Sequence, residues 1–368
     1  MEGFFQRSWI YRRLLLVYPM KTLAAILVQL NAPLEIVELE IPSLKRGQVL
    51  VQIAYSGLCH TQLNEWKGSK GPDPFLPHTL GHEGSGIVLE VGEGVTKVKP
   101  GDHVVLSWLK GTGLDAPSTT YQGPNITVNS GAISTFLEKA VISENRLIPI
   151  PSEIPLKEAA LLGCAIPTGA GVVMNNMQIK EGQSVVIFGV GGIGLSAILA
   201  AKHAKANPII AIDIRSEKLE KAELLGATHI VNSLDCNPLT KISEILGNNG
   251  SDFALESVGR KEVMEMAFQC VRPFGGLCVL AGNLPKGEKI QIDPFDLIKG
   301  KKIIGTWGGG ANIDRDVPLF ANIFLKDANF LKPMISHEVK LSEINELMSA
   351  LNNGQIARGL IGFGGVCI

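Results

Sequence analysis

Five residues in the middle of the chain have the types and spacing to bind a dinucleotide. Gly189, Gly191, Gly192 and Gly194 lie in the run GVGGIG, and Asp213 follows nineteen residues beyond Gly194. Glycine lets the backbone turn sharply and approach a pyrophosphate. The free N–H groups and positive end of a following helix then meet the phosphate charge. A carboxylate at the end of the next strand accepts hydrogen bonds from the ribose hydroxyls of NAD. A second set, Cys59, His82 and Cys164, offers thiol and imidazole donors. Each alone is ambiguous: a lone cysteine is most often a small buried hydrophobe, and a lone histidine is usually an ordinary packed imidazole.

The elements that must hold the glycine turn are legible around it. Val185–Phe188 is an apolar run continuous enough for a strand buried on both faces. Leu195–His203 is rich in Ala and Leu and reads as a helix. Ile209–Ile212 is a second apolar run, ending at Asp213. From Gln183 to about Gly305 the pattern alternates. Strands are predicted at 184–188, 208–212, 228–231, 252–255, 276–281 and 302–306. Helices are predicted at 192–203, 216–225, 239–247, 260–270 and 294–299. This is an α/β, doubly wound parallel sheet. From Lys21 to about Pro155 short apolar runs, such as Gln48–Ala54 and Asp102–Ser107, are separated by Gly/Pro turns. Their spacing predicts a small irregular β barrel or sandwich. Leu109–Ser130 is expected to be a long polar loop. Leu341–Leu351 is expected to be an amphipathic helix with Ile344, Leu347, Met348 and Leu351 on one face.

Bulk properties narrow the function classes. A chain of 368 residues is long for one core, so two domains are expected. The net charge of −1 gives no argument for nucleic acid or an anionic membrane. No apolar run reaches bilayer length. The six cysteines show no CxxC spacing, which suits free thiols or metal ligands in a reducing, cytoplasmic setting. Residues 1–19 carry Arg7, Arg12, Arg13 and a short apolar run, and read as an N-terminal extension, with an organellar transit peptide as the alternative.

Three segments carry a resemblance: GLCHTQ around Cys59, GHEGSGIVLEVGEGVTKVKPGDHV at 81–104, and LLGCAIPTGAG around Cys164. With the order of β-rich segment, GxGxxG segment and return tail, they resemble the medium-chain zinc-dependent alcohol dehydrogenase family from Lys21 onward. The resemblance implies a GroES-like β-barrel catalytic domain over 20–168 and 308–368, beside an NAD-binding Rossmann domain over 169–307. It implies that Cys59, His82 and Cys164 bind one catalytic zinc. Two thiolates and a neutral imidazole balance the metal's charge and leave a fourth position open. Zinc then acts as a Lewis acid on an alcohol oxygen, and the hydride passes to NAD.

Other roles follow from the same resemblance. Glu83 lies behind the metal. Thr61 bonds the alcohol and starts proton release. His60 and Arg358 face the cofactor pyrophosphate, Thr168 lies near the nicotinamide, and Lys218 contacts a ribose. Trp108, and with it Trp66, suggests a pocket for a bulky or aromatic alcohol. The expected partners are a small alcohol and its aldehyde or ketone. Subunits are expected to pair through Lys302–Thr306 into a homodimer or homotetramer.

The sequence departs from the family pattern in three places. No cysteine lies between Cys59 and Cys164, so the four-cysteine structural zinc lobe is expected to be absent. Gln62 stands where an acid is common, and Asn64 stands near where some members end a proton relay in histidine. Asp213 favours NAD, while Arg215 keeps NADP open. Two rival readings stand beside this one: a zinc-free enoyl or quinone reductase of the same superfamily, and a non-catalytic nucleotide-binding protein.

Overall fold

The computed structural model describes residues 19–69, 71–324, 331–356 and 358–364. The extension expected before Pro19 and the cysteine at 367 lie outside the described residues.

The apolar runs of the central segment become six parallel strands. They are Val185–Phe188, Ile209–Asp213, His229–Asn232, Phe253–Glu256, Leu277–Leu280 and Lys302–Gly305. Taken in chain order, they lie across the sheet as third, second, first, fourth, fifth, sixth. The first and fourth are therefore neighbours, and the crevice beyond their carboxyl ends is where such sheets bind ligands. Both are buried at every position, which is why they read as unbroken apolar runs rather than alternating ones. Helices Gly192–His203, Ser216–Leu225, Pro238–Leu246, Lys261–Gln269 and Pro294–Ile298 connect them. Asn237 and Asp293 cap two of these, each followed by a proline that has no N–H to satisfy.

The β-rich segment forms a closed five-stranded barrel and a second sheet. The barrel uses Lys21–Leu27, Glu35–Glu40, Thr119–Gly123, Ile126–Ser130 and His78–Thr79. The second sheet is built around Gln48–Leu58, which pairs with Glu83–Val91, Lys139–Ser143 and the tail strand Gly359–Gly362. Gly359 lies opposite Leu58, so the tail brings Arg358 back beside Cys59. The helix Ile344–Asn352 buries Ile344, Leu347, Met348 and Leu351, the face its sequence pattern predicts.

The expected polar loop at 109–130 is corrected. Its second half is a hairpin, Thr119–Gly123 and Ile126–Ser130, that completes the barrel. Tyr121 points into the core, and its hydroxyl accepts the Val141 N–H at 2.8 Å. The turn is made by Pro124 and Asn125, the latter at φ 63°, a conformation asparagine tolerates. The period-two alternation of TTYQG and ITVNS was the available signal, outweighed by the segment's polarity.

Glu144 holds the loops that flank this hairpin. Its buried carboxylate accepts the N–H groups of Thr96, Lys97 and Leu114 at 2.6, 2.7 and 2.7 Å. Burial pushes this carboxyl up, but the three N–H bonds and Lys97 win and hold it below its ordinary 4.5. A depressed folded value stabilises the protein above the unfolded value and loses that contribution as pH falls through the folded one. Glu144→Ala is expected to cost about 2–3 kcal/mol at pH 7. Urea unfolding at pH 7 and pH 4 should show the deficit shrinking at the lower pH.

Candidate active site

Three different elements deliver the three donors. Cys59 follows the strand Gln48–Leu58 and precedes the helix His60–Trp66. His82 immediately precedes the strand Glu83–Val91. Cys164 sits at a backbone break, φ −150° and ψ −64°, between a tight helical turn and the helix Ala165–Gly171. Their ligand atoms lie within 4.8 Å of one another, the one such cluster among the described residues. Two glycines allow this approach. A Cβ on Gly57 would sit 2.0 Å from Glu83 Oε1, and one on Gly163 would sit 2.2 Å from the Leu106 carbonyl.

Donor set and spacing fit zinc. Two sulfurs and an imidazole are its preferred soft-borderline ligands, with bonds of about 2.0–2.3 Å that need donors packed this closely. The hydrogen bond from Cys164 holds the Cys59 thiol well below its usual range, and His82 and Arg358 add to this. The Cys164 thiol is pushed well above its usual range by that same bond and by burial. Burial would lower His82, but the bond to Cys59 and its charge outweigh it. His82 Nε2 lies 3.3 Å from Cys164 Sγ.

The surrounding groups orient these donors. Gln62 accepts the Cys59 N–H at 3.0 Å, and its Nε2 lies 2.5 Å from His82 Nδ1. It occupies the place of an orienting acid without bringing a charge. Glu83 is fully buried and paired with Arg358. Burial raises its carboxyl, and the guanidinium opposes that. The Arg358 Cζ also lies 3.7 Å from where a Cβ on Gly192 would be, and its Nε is buried without a partner among the described residues. One side chain thus reaches from behind the metal site to the glycine turn. Thr61 Oγ1 lies 3.8 Å from Cys59 Sγ. Thr168 Oγ1 donates to the Cys164 carbonyl at 2.8 Å. His60 is exposed at the start of its helix.

The tryptophans divide. Trp108 meets His82 edge-on at 6.5 Å between centroids. Its other neighbour is Trp307, at 5.0 Å and 73°. Trp307 is 79% exposed and was not singled out from sequence, although it opens a Trp-Gly-Gly-Gly turn just after the last strand. Trp66 is placed elsewhere. Its helix turns it to the barrel, where Nε1 donates to the Ala32 carbonyl at 2.6 Å and the ring packs on the barrel core. Trp66 is thus a packing residue of the barrel, while Trp108 lies against His82.

At the glycine turn Gly189 has φ +86°, and a Cβ there would meet Val258 Cγ2 at 2.6 Å. A Cβ on Gly194 would lie 1.9 Å from the Gly189 carbonyl, so only glycine lets the helix pack on the strand. Above Gly191 nothing lies within 4 Å of a Cβ. Asp213 accepts the Val190 N–H at 2.9 Å and the Ile214 and Arg215 N–H groups at 2.8 and 3.2 Å. Lys218 lines a cleft together with Arg215 and Lys221. Glu256, missed in the sequence, ends the fourth strand and accepts the Val258 and Gly259 N–H groups at 2.8 and 2.7 Å. It fixes the loop that leans over Gly189. An acid closing a buried strand was the signal.

A nucleotide sheet, a barrel lobe and a Cys–His–Cys centre define a two-domain zinc-binding dehydrogenase. Residues 192–322 match the zinc-binding dehydrogenase family and residues 45–152 the alcohol dehydrogenase GroES-like domain. The chain is 34% identical to an S-(hydroxymethyl)glutathione dehydrogenase from a Synechocystis strain, over 93% of this chain and 100% of that protein. Its structure resembles benzyl alcohol dehydrogenase from Acinetobacter calcoaceticus, with TM-score 0.83 and 30% identity over 94% of this chain and 100% of that one. It also resembles an alcohol dehydrogenase zinc-binding domain protein from Burkholderia ambifaria, with TM-score 0.87 and 29% identity over 95% and 100%. The chain belongs to the medium-chain zinc-dependent alcohol dehydrogenase family. It is an oxidoreductase acting on CH–OH groups. Among the described residues no single helix is long and apolar enough to cross a membrane.

Proposed function

We propose that the protein reversibly oxidises a bulky primary or secondary alcohol, with an aromatic alcohol such as benzyl alcohol favoured, to its aldehyde or ketone with NAD. The observation that carries the substrate class is Trp108 edge-on to His82, with Trp307 edge-on to Trp108 in turn. Trp108 beside His82, extended outward by Trp307, offers a surface that an aromatic substituent can stack on. The similarity to benzyl alcohol dehydrogenase supports the same class.

One catalytic zinc, held by Cys59, His82 and Cys164, supplies a Lewis acid when bound. The remaining work belongs to the chain. Beside Cys59, Thr61 takes the proton of the substrate hydroxyl as it passes its own hydroxyl proton onward. Asn64 does not titrate near neutral pH, so the proton leaves by the ribose hydroxyl, water or His60. Glu83 and Gln62 fix the ligand geometry. The glycine turn and Arg358 Nε, without a partner among the described residues, hold the pyrophosphate, Thr168 borders the nicotinamide, and Asp213 and Lys218 take the ribose. The catalytic domain comprises 20–168 and 308–368, the cofactor domain 169–307. The exposed edge strand Lys302–Gly305 pairs with that of a second copy.

A panel of alcohols with NAD tests the reading. Benzyl alcohol should exceed ethanol in kcat/KM by about tenfold or more, and Trp307→Ala should raise the benzyl alcohol KM by about tenfold while leaving ethanol nearly unchanged. Turnover of S-(hydroxymethyl)glutathione alone would replace the aromatic reading. Reduction of enones without zinc would favour the reductase, and zinc bound without any turnover would favour the non-catalytic protein.

A further inference from the structure

Three residues follow one end of the second sheet in register. The strand Glu83–Val91 pairs with His103–Ser107, and Glu83 lies opposite Ser107. His103–Ser107 pairs in turn with Leu147–Ile150, and Leu106 lies opposite Leu147. His82, Trp108 and Arg146 are the next residues out along those three strands. The sheet end therefore sets a metal donor, an aromatic ring and a guanidinium in a row. Trp108 stands between the other two. Its ring meets His82 edge-on, and its carbonyl accepts a hydrogen bond from Arg146 Nη1.

Arg146 closes a turn, 143–146, whose four residues all bond the loop that begins at Trp108. Ser143 Oγ accepts the Ala116 N–H at 2.8 Å, and Glu144 accepts the Leu114 N–H at 2.7 Å. The Asn145 carbonyl accepts the Gly111 N–H at 2.8 Å. These three act from residue 111 onward. Of the four, Arg146 alone reaches the residue whose ring faces the ligand cluster. The guanidinium is costly to keep there. It is half-buried, burial pulls it below its ordinary value, and Asp115 opposes that. Its Nε is buried without a partner among the described residues. An unpaired buried donor costs stability, and an aliphatic side chain would fill the place without that cost.

We propose that Arg146 is a positioning residue: by holding the Trp108 backbone it sets the ring against His82, and through the ring it sets the preference for aromatic over small alcohols. The proposal rests on the aromatic-alcohol reading above. A ring that rocks with its backbone loses contact with a flat substituent, whereas a small alcohol uses little of that surface.

Arg146→Ala in the zinc-loaded enzyme tests this by two readouts. The KM for benzyl alcohol is expected to rise about tenfold, the size of one lost bond to a charged donor, with kcat within about threefold. The kcat/KM for ethanol should change by less than about threefold. The second readout needs no substrate. Trp108 and Trp307 lie 5.0 Å apart at 73°, close enough for their indole transitions to couple in ultraviolet circular dichroism. Trp307→Ala identifies that couplet, and Arg146→Ala should weaken it. Arg146→Lys keeps a donor and should recover part of both effects. Should Arg146→Ala fail to fold, Arg146→Met keeps the apolar stem and carries the same expectations. An unchanged couplet overturns the proposal, and so does an equal loss for benzyl alcohol and ethanol. A wild type that prefers no aromatic alcohol overturns the substrate reading together with the preference drawn from it. A wild type that prefers benzyl alcohol, with the preference kept in Arg146→Ala, overturns this proposal alone.

Discussion

Cys164→Ser is expected to empty the metal site and lower alcohol oxidation by at least about a thousandfold. The thiol is buried against His82 and the Cys59 sulfur, so its only useful state there is as a metal thiolate. Serine is nearly isosteric but far less acidic and a poorer ligand for a borderline-soft cation. Losing several kcal/mol of charge stabilisation in the transition state corresponds to about three powers of ten or more in rate. Because shape is kept, the thermal midpoint of the metal-free variant should stay within a few degrees of metal-free wild type. Metal content and kcat/KM measured on one preparation check this. A variant that keeps both its metal and its rate would show that Cys164 is only a packed hydrophobe.

Breaking the Arg358–Glu83 pair should produce the largest loss of stability. Their side chains are 6% and 0% exposed, and they come from distant parts of the chain that the pairing of the tail strand brings together. Such a pair is weak evidence of stability when intact, yet removing one partner strands a buried charge. Arg358→Met is therefore expected to cost about 3–5 kcal/mol at pH 7, read by urea unfolding. Adding Glu83→Gln should recover part of that cost, because the remaining group is then neutral. NAD affinity should not recover in the double variant, since the guanidinium beside Gly192 is still missing. Full recovery of affinity would mean that Arg358 serves the fold alone.

The nucleotide sheet was readable because its strands are buried on both faces. Val185–Phe188 and Phe253–Glu256 carry no polar residue until the strand ends, and glycines punctuate the turns. The glycine turn and Asp213 were readable because their spacing is local. The hairpin Thr119–Ser130 was not, since Thr, Gln and Asn on its solvent face disguise the alternation behind Tyr121. The ligand cluster needed a resemblance to be seen at all: Cys59, His82 and Cys164 are brought together by three elements far apart in sequence. Trp307 and Glu256 escaped for the same reason. What draws each of them toward the site is a neighbour, Trp108 in one case and the Val258–Gly259 loop in the other, that only the fold supplies.

Alcohol oxidation by this chain is expected to require a single zinc held by Cys59, His82 and Cys164. Zinc content by plasma mass spectrometry, on protein assayed in parallel for benzyl alcohol oxidation with NAD, tests it most directly. The expected result is about one zinc per chain, with activity lost on chelation and regained when zinc is returned. Metal-free protein that still oxidises the alcohol would contradict it.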